Sequence, residues 1–456
     1  MPKLSVVDFA MFALETRERP FNVGPLTVLK PSPKAAKGFA DRLVERMLQR
    51  KVGAPFHYRL HSSGIGLPSL EVDPDADCAK HIHRLTLRAP GSDKALFAKV
   101  CQLHGKQLDR SRMLWELYVI DGLRDGRVAI YAKVHHGIID GASFMKAMLQ
   151  WLAPTPAQRT VRALWEELPD SAARARRPAN TPLARRLSQL VSDAAGSVRT
   201  TGSVYKLVAE QCLKSLGMGK GLPLPFTGTP RVLHALPSPH RVFAYCNLPL
   251  AETKAFGKAH DATVNDVLLA VLDIALAEYL KARGVKADKP VVADMPVALA
   301  GTGGGNQITI LQIPLGAPGS DPMARLAAIC AQTREMKEQI RGKSGETFML
   351  FSALVHGLPA LFEALKLDEA PLLANMVISN PYGITEKRYL MGAEVELSLP
   401  VSVVAPGQTL NITAVTSPNG LDIAFIGIKE GVPEIESLAA QTVKAFASLK
   451  AAAKKR

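Results

Sequence analysis

Residues 128–141 read Val128-Ala129-Ile130-Tyr131-Ala132-Lys133-Val134-His135-His136-Gly137-Ile138-Ile139-Asp140-Gly141, and the run Ser143-Phe144-Met145-Lys146-Ala147-Met148-Leu149 follows closely. The first seven residues are almost all apolar and rich in β-branched and aromatic types, which predicts a well-buried strand. Residues 143–149 have the composition and spacing of a helix. The decisive feature lies between them: two histidines at the end of a strand, an acid, and a glycine before the helix.

An alcohol that attacks a carbonyl near neutral pH needs a base to take its proton as the bond forms. Histidine, with a reference pKa of about 6.5, suits that task. Adjacent side chains at a strand end point to opposite faces, so only one of the two can aim into a given cleft. His136 shares the period-of-two face of Val128, Ile130, Ala132 and Val134. Asp140 could pair with an arginine, fix the loop and hold the imidazole. Gly141 would let the chain turn sharply into the helix. A histidine pair alone could equally be a metal pair or two satisfied core residues; the full seven-residue pattern after a buried strand favours the base.

The chain has 456 residues, which predicts two domains or lobes. Hydrophobic residues make up 47% and charged residues 21%, a globular composition that excludes a disordered chain. A net charge of +15 suits polyanionic partners such as nucleic acid, anionic lipid or a phosphorylated cofactor. No RNP-like strand, zinc-finger spacing or basic zipper supports nucleic acid, which is therefore not expected as a partner. The five cysteines, Cys78, Cys101, Cys212, Cys246 and Cys330, form no Cys-x-x-Cys pair and read as reduced thiols of a cytosolic protein. Asp8 and Glu15 interrupt the only apolar N-terminal stretch, so no signal peptide is expected. No segment reaches 18 apolar residues; the nearest, 348–365, is broken by His356, Gly357, Pro359 and Glu363. That run fits core, a tunnel wall or a bilayer surface.

Between 154 and 230 prolines recur, and Arg159, Arg162, Arg174, Arg176, Arg177, Arg185, Arg186 and Arg199 give a basic bias. This predicts a crossover linker with one or two surface helices. The expected organisation is a first lobe at 1–153, the linker at 154–230 and a second lobe at 231–456. In the second lobe, a strand is expected near 241–248. Thr263-Val264-Asn265-Asp266 opens a helix with a capping box, which Gly284 ends. Further strands are expected at 307–313, 374–379, 410–416 and 421–428.

Several look-alikes carry less. Gly342-Lys343-Ser344 resembles the end of a P-loop, but position 337 is Lys where Gly is required. The glycines at 301 and 303–305 precede a strand rather than the helix a dinucleotide site needs. Cys78, His81 and His83 lack a fourth ligand at a useful spacing, so no metal is expected.

His135-His136-x3-Asp140-Gly141 resembles the active-site motif of the chloramphenicol acetyltransferase-like superfamily, which includes condensation domains of peptide synthetases. Within it the chain is similar, nearly end to end, to the bacterial wax ester synthase/acyl-CoA:diacylglycerol acyltransferase family. The resemblance rests on Leu4-Ser5-Val6-Val7-Asp8, Leu14-Glu15-Thr16 and Asn22-Val23-Gly24 at the opening, and on Asn265-Asp266-Val267. Met113-Leu114-Trp115 resembles the family's Pro-Leu-Trp, with Met for Pro. Ser379-Asn380-Pro381-Tyr382-Gly383 resembles a shortened Ser-Asn-Val-Pro-Gly-Pro loop, and Leu410-Asn411-Ile412-Thr413 the strand after it.

The resemblance implies two α/β lobes, mixed sheets flanked by helices, with an active-site tunnel between them. It implies O-acyl transfer from acyl-CoA, as co-substrate rather than resident cofactor, to a long-chain alcohol or diacylglycerol. His136 would be the base, with His135, Asp140 and Gly141 around it and no covalent acyl-enzyme. Asn265 is either an oxyanion donor or a helix first-turn residue. Leu114, Trp115, Ser379, Asn380, Pro381 and Gly383 would meet substrate. A cytoplasmic protein in peripheral contact with an anionic membrane or lipid inclusions is expected. Two alternatives stand beside this reading: a condensation-type enzyme using a carrier-bound acyl donor, and a lipid-surface binding protein with a degenerate site.

Overall fold

The computed structural model describes residues 11–61, 69–139, 141–158, 162–166, 225–298, 308–340 and 345–455. The first half supplies β1 (Asn22–Lys30), α1 (Phe39–Leu48), an antiparallel pair β2 (Tyr58–His61) and β3 (Ser69–Val72), β4 (Ile82–Gly91), α2 (Asp93–His104), β5 (Trp115–Leu123), β6 (Val128–His135) and α3 (Gly141–Trp151). The second half begins with β7 (Arg241–Leu248), α4 (Leu250–Ala259), α5 (Val264–Ala282), β8 (Val292–Ala298), β9 (Ile308–Pro314), α6 (Pro322–Ile340) and α7 (Gly345–Ala364). It ends with β10 (Met376–Ser379), β11 (Tyr389–Leu390), β12 (Ala393–Val401), β13 (Leu410–Ser417), β14 (Gly420–Ile428) and α8 (Ile435–Ala453).

Two six-stranded sheets result, in the orders β11-β12-β1-β6-β5-β4 and β7-β14-β13-β10-β8-β9. Both are mixed: β4 runs parallel to β5, and β10 parallel to β8 and β13, while the other pairs are antiparallel. The α/β class, with helices flanking two sheets, is as expected.

β6 is buried along its whole length because both faces are covered. Val128, Ile130, Ala132 and Val134 join a core with α1, α3 and Trp165. Ala129 and Tyr131, on the opposite face, join a second core that includes Phe243, Ala424 and Ile426 from the other sheet. That second core fastens the lobes together, with α2 packed between them against β7. α5 is buried on nearly all sides, and its start is fixed as the sequence predicts: Thr263 and Asp266 form a reciprocal capping box.

The lobes do not divide at a single point in the chain. β11 and β12, from the stretch expected to belong to the second lobe, add to the first sheet. β12 pairs along β1 from Gly24↔Val401 to Lys30↔Glu394, and β6 takes the other edge of β1. The pairing covers an edge that would otherwise be open. Part of the expected linker also packs into the first lobe: Ala163, Leu164 and Trp165 are core, with Trp165 stacked on Trp115. Of the arginines singled out there, only Arg162 lies within the described residues; the others, and Cys212, fall outside them, as do Gly342-Lys343-Ser344 and the glycines at 301 and 303–305. Cys78, Cys101, Cys246 and Cys330 are buried free thiols. The apolar run at 348–365 lies in α7, which continues through Pro359.

Candidate active site

β6 delivers the histidines to the end of the first sheet, and neighbouring backbone pins both. The His135 N–H donates to the Leu114 carbonyl and the His136 N–H to the Phe21 carbonyl, each at 2.9 Å. From there the chain enters a single 3-10 turn, His136–Ile138. The His135 ring lies flat on Phe12, centroids 4.0 Å apart and planes 2° from parallel. Its Nδ1 accepts from the Gly137 N–H at 3.0 Å. Gly137 is required here: a Cβ would stand 2.6 Å from the Phe12 ring.

Accepting from Gly137 leaves Nδ1 without a proton, so a neutral His135 carries its proton on Nε2. Nε2 is 3.5 Å from Glu15 Oε2, and both side chains are 0% exposed. At that distance the contact is electrostatic rather than a well-formed hydrogen bond. Glu15 is itself held on every side. Oε2 accepts from Arg110 Nη2 at 2.7 Å, Arg110 Nε at 3.0 Å and Gln107 Nε2 at 2.8 Å, while Oε1 accepts from the Phe21 N–H at 2.9 Å. Burial, the largest influence, pushes the Glu15 carboxyl up; His135, Gln107 and the Phe21 N–H outweigh it and hold it at about 2. His135 is thus held at Nδ1 and on its ring face, with the Glu15 carboxylate beside Nε2. His136, half-buried, begins the turn.

The remaining expected residues divide sharply. Asp140 lies outside the described residues. Gly141 is the first residue of α3 and exposed, and no described atom comes within 4 Å of where its Cβ would be. Leu114 and Trp115, expected to meet substrate, lie in the core of the first lobe. Leu114 is fully buried and its carbonyl anchors His135; Trp115 is 2% exposed, donates to the Phe56 carbonyl at 2.9 Å and stacks on Trp165. They back the histidine strand from the core.

Asn265 occupies the second position of α5, half-buried, while its neighbour Asp266 is consumed by structure, capping the helix and accepting from Thr333 at 2.7 Å. Ser379, Asn380, Pro381 and Gly383 follow β10 in the second lobe. Asn380 and Pro381 are exposed, and the Gly383 N–H donates to Thr416 Oγ1 at 3.2 Å. A Cβ on Gly383 would fall 1.9 Å from the Thr416 carbonyl oxygen, so this glycine permits a close backbone approach. Among the described residues no group of three His, Cys, Asp or Glu could hold a metal ion, and His81 Nδ1 is taken up by the Trp115 carbonyl.

Two networks, neither singled out by the sequence, tie the histidine end of the first sheet to the second. Asn22, opposite His135 in the register, donates to the His104 and Lys106 carbonyls at 2.9 and 2.8 Å. His104 bridges Tyr131 at 2.6 Å and the Ser402 carbonyl at 3.1 Å, and Ser402 meets Thr413 of β13 at 3.0 Å. Burial, then Arg241 and Lys133, push His104 down to about 3, so it stays neutral and donates to Ser402 while accepting from Tyr131. The second network is Arg19, 1% exposed, which pairs with Glu363 of α7 at 2.6 Å and donates to the carbonyls of Val404, Ala405 and Gln408. Glu15 and Arg19 thus place one short segment against His135 and against the second lobe. Glu15 entered the sequence reading only as part of a similar opening and as an acid that, with Asp8, interrupts an apolar stretch.

The architecture is shared with solved structures. The wax ester synthase/diacylglycerol acyltransferase from Marinobacter aquaeolei VT8 matches with a TM-score of 0.75 and 25% identity, over 99% of this chain and 100% of that one. The first condensation domain of the CDA synthetase shares the fold at a TM-score of 0.55 and 16% identity, over 98% and 94%. A probable diacylglycerol O-acyltransferase of Mycobacterium tuberculosis, Tgs4, is 33% identical over 98% of this chain and 96% of its own length. Residues 4–268 match the wax ester synthase/diacylglycerol acyltransferase catalytic domain, and 304–450 match the C-terminal domain of the same family. The fold and these relatives define a two-lobed acyltransferase. The chain belongs to the wax ester synthase/diacylglycerol acyltransferase family.

Proposed function

We propose that the chain moves a long-chain acyl group from acyl-CoA to the hydroxyl of a fatty alcohol or diacylglycerol, with His136 as general base. One observation carries the assignment: of the two adjacent histidines, His135 is fully buried, its Nδ1 taken by the Gly137 N–H and its ring flat on Phe12 with Glu15 beside Nε2, while His136 begins the turn half-buried. His136 takes the hydroxyl proton as the alcohol oxygen bonds to the thioester carbonyl. The tetrahedral oxyanion collapses, the carbon–sulfur bond breaks, and the departing thiolate receives that proton from His136. Direct attack needs no acyl-enzyme. Asn265 is the proposed oxyanion donor, since the first turn of α5 carries the positive end of a helix dipole. Asp140 and Gly141 would complete the loop, and Ser379, Asn380, Pro381 and Gly383 the substrate lip.

The test is thiol release from palmitoyl-CoA with and without hexadecanol or dipalmitoylglycerol. A positioned base is worth ~10²–10⁴ in rate, so His136→Ala should lose that much alcohol-dependent release in a protein that still folds. His135→Ala should lose less turnover and more stability. Equal, mild losses in both variants would overturn the assignment.

Peripheral contact with anionic lipid is part of the same reading. Leu358, Leu361 and Leu365 are exposed at helical spacing along and just beyond α7, with exposed Leu367 beyond them, on a chain of net charge +15. Among the described residues no helix is long and apolar enough to cross a membrane. The protein should float with vesicles containing phosphatidylglycerol at low salt, and Leu361→Glu should reduce the bound fraction. Absence of flotation at low salt removes the lipid contact.

A further inference from the structure

The second sheet has one largely apolar face and one that carries buried polar groups. Ala293, Met295, Met376, Ile378, Leu410 and Ile412 pack towards α5 in the largest core. Strand alternation turns Asp294, Val377, Asn411 and Thr413 the other way. On that face Asp294, 1% exposed, accepts from Gln408 Nε2 at 2.5 Å through Oδ2, and His356 Nε2 of α7 stands 3.4 Å from the same oxygen. The other carboxyl oxygen, Oδ1, is buried with no hydrogen-bond partner, and so is Gln408 Oε1. Two buried acceptors without a donor, in a cluster already supported from two sides, cost stability unless something supplies the donor.

The N-terminal segment links the cluster to His135. The Gln408 carbonyl accepts from Arg19, and Glu15, four residues earlier, faces His135.

We propose that Asp294, Gln408 and His356 form a hydroxyl-binding subsite for the acyl acceptor, selecting acceptors that carry a second hydroxyl besides the one acylated. The proposal rests on the acyl-transfer reading above. A hydroxyl donates to Asp294 Oδ1 or Gln408 Oε1, satisfying a buried oxygen that a plain alkanol leaves bare. Sites that hydrogen-bond a hydroxyl discriminate against analogues lacking it far more strongly than apolar pockets discriminate between chain lengths.

The experiment compares hexadecanol, 1,2-hexadecanediol and 1,16-hexadecanediol as acceptors for palmitoyl-CoA, with wild type, Asp294→Leu and Gln408→Leu. Wild type should prefer at least one diol by about tenfold or more in kcat/KM. That ratio should fall towards one in Asp294→Leu, with the KM for palmitoyl-CoA unmoved. Gln408→Leu, whose contact with Arg19 is through main chain, should lower the ratio even if Asp294→Leu folds poorly. Wild-type turnover of hexadecanol with no gain from either diol would overturn this subsite and leave the acyl-transfer reading standing. A rise confined to the palmitoyl-CoA KM would assign the cluster to the donor arm instead and overturn the proposal. No His136-dependent release with any acceptor would sink the acyl-transfer reading itself.

Discussion

Two buried carboxyls stand on opposite lobes, and they are finished differently. Glu15 has a donor for each oxygen: Phe21 on one, Arg110 and Gln107 on the other, with His135 beside it. Asp294 has Gln408 and His356 on one oxygen and nothing on the other. A fully partnered carboxyl makes its surroundings rigid, while one left half-partnered keeps a recognition element ready. The first suits a group that holds a catalytic loop, the second a group that waits for substrate.

Substitution should expose the contrast. Glu15→Leu removes the partner of Arg110 and strands the Phe21 N–H and His135, and should cost about 3 kcal/mol of stability. Chemical denaturation checks it; a loss under about 1 kcal/mol would mean the network is decorative. The effect of pH comes next in size. The Glu15 carboxyl is held below its ordinary 4.5, at about 2, so its contribution is fully present above 4.5 and is lost as pH falls through about 2. The stability gap between wild type and Glu15→Gln should therefore narrow between those values; a gap constant down to about pH 2 would deny the shift. Asp294→Leu should show the smallest change, within about 1 kcal/mol, because removing an unsatisfied buried oxygen returns part of what the lost Gln408 contact costs. A loss as large as that of Glu15→Leu would erase the contrast.

What the sequence made legible was local. The strand at 128–135 and the helix at 141–151 follow from composition and period, and the α5 capping box from residues three apart. What was missed depends on partners distant in sequence. Nothing within residues 389–401 announces that they will pair with β1, because both sheets offer apolar edges of similar period. Nothing around Glu15 announces His135. Nothing around Trp115 announces its stack on Trp165.

The placement of β12 also has a consequence for how the protein comes into being. β1 emerges early from the ribosome and is flanked by β6 within the first 135 residues, yet its other edge is closed only by residues 394–401. Until then the nascent first lobe carries an open strand edge, a template for wrong pairing with any neighbouring chain. The histidine-bearing sheet is therefore completed late in synthesis, shortly before β13 and β14 of the second lobe are made. A fragment ending before residue 389 keeps His136 but not the sheet edge that encloses its strand, and such fragments should aggregate where the full chain does not.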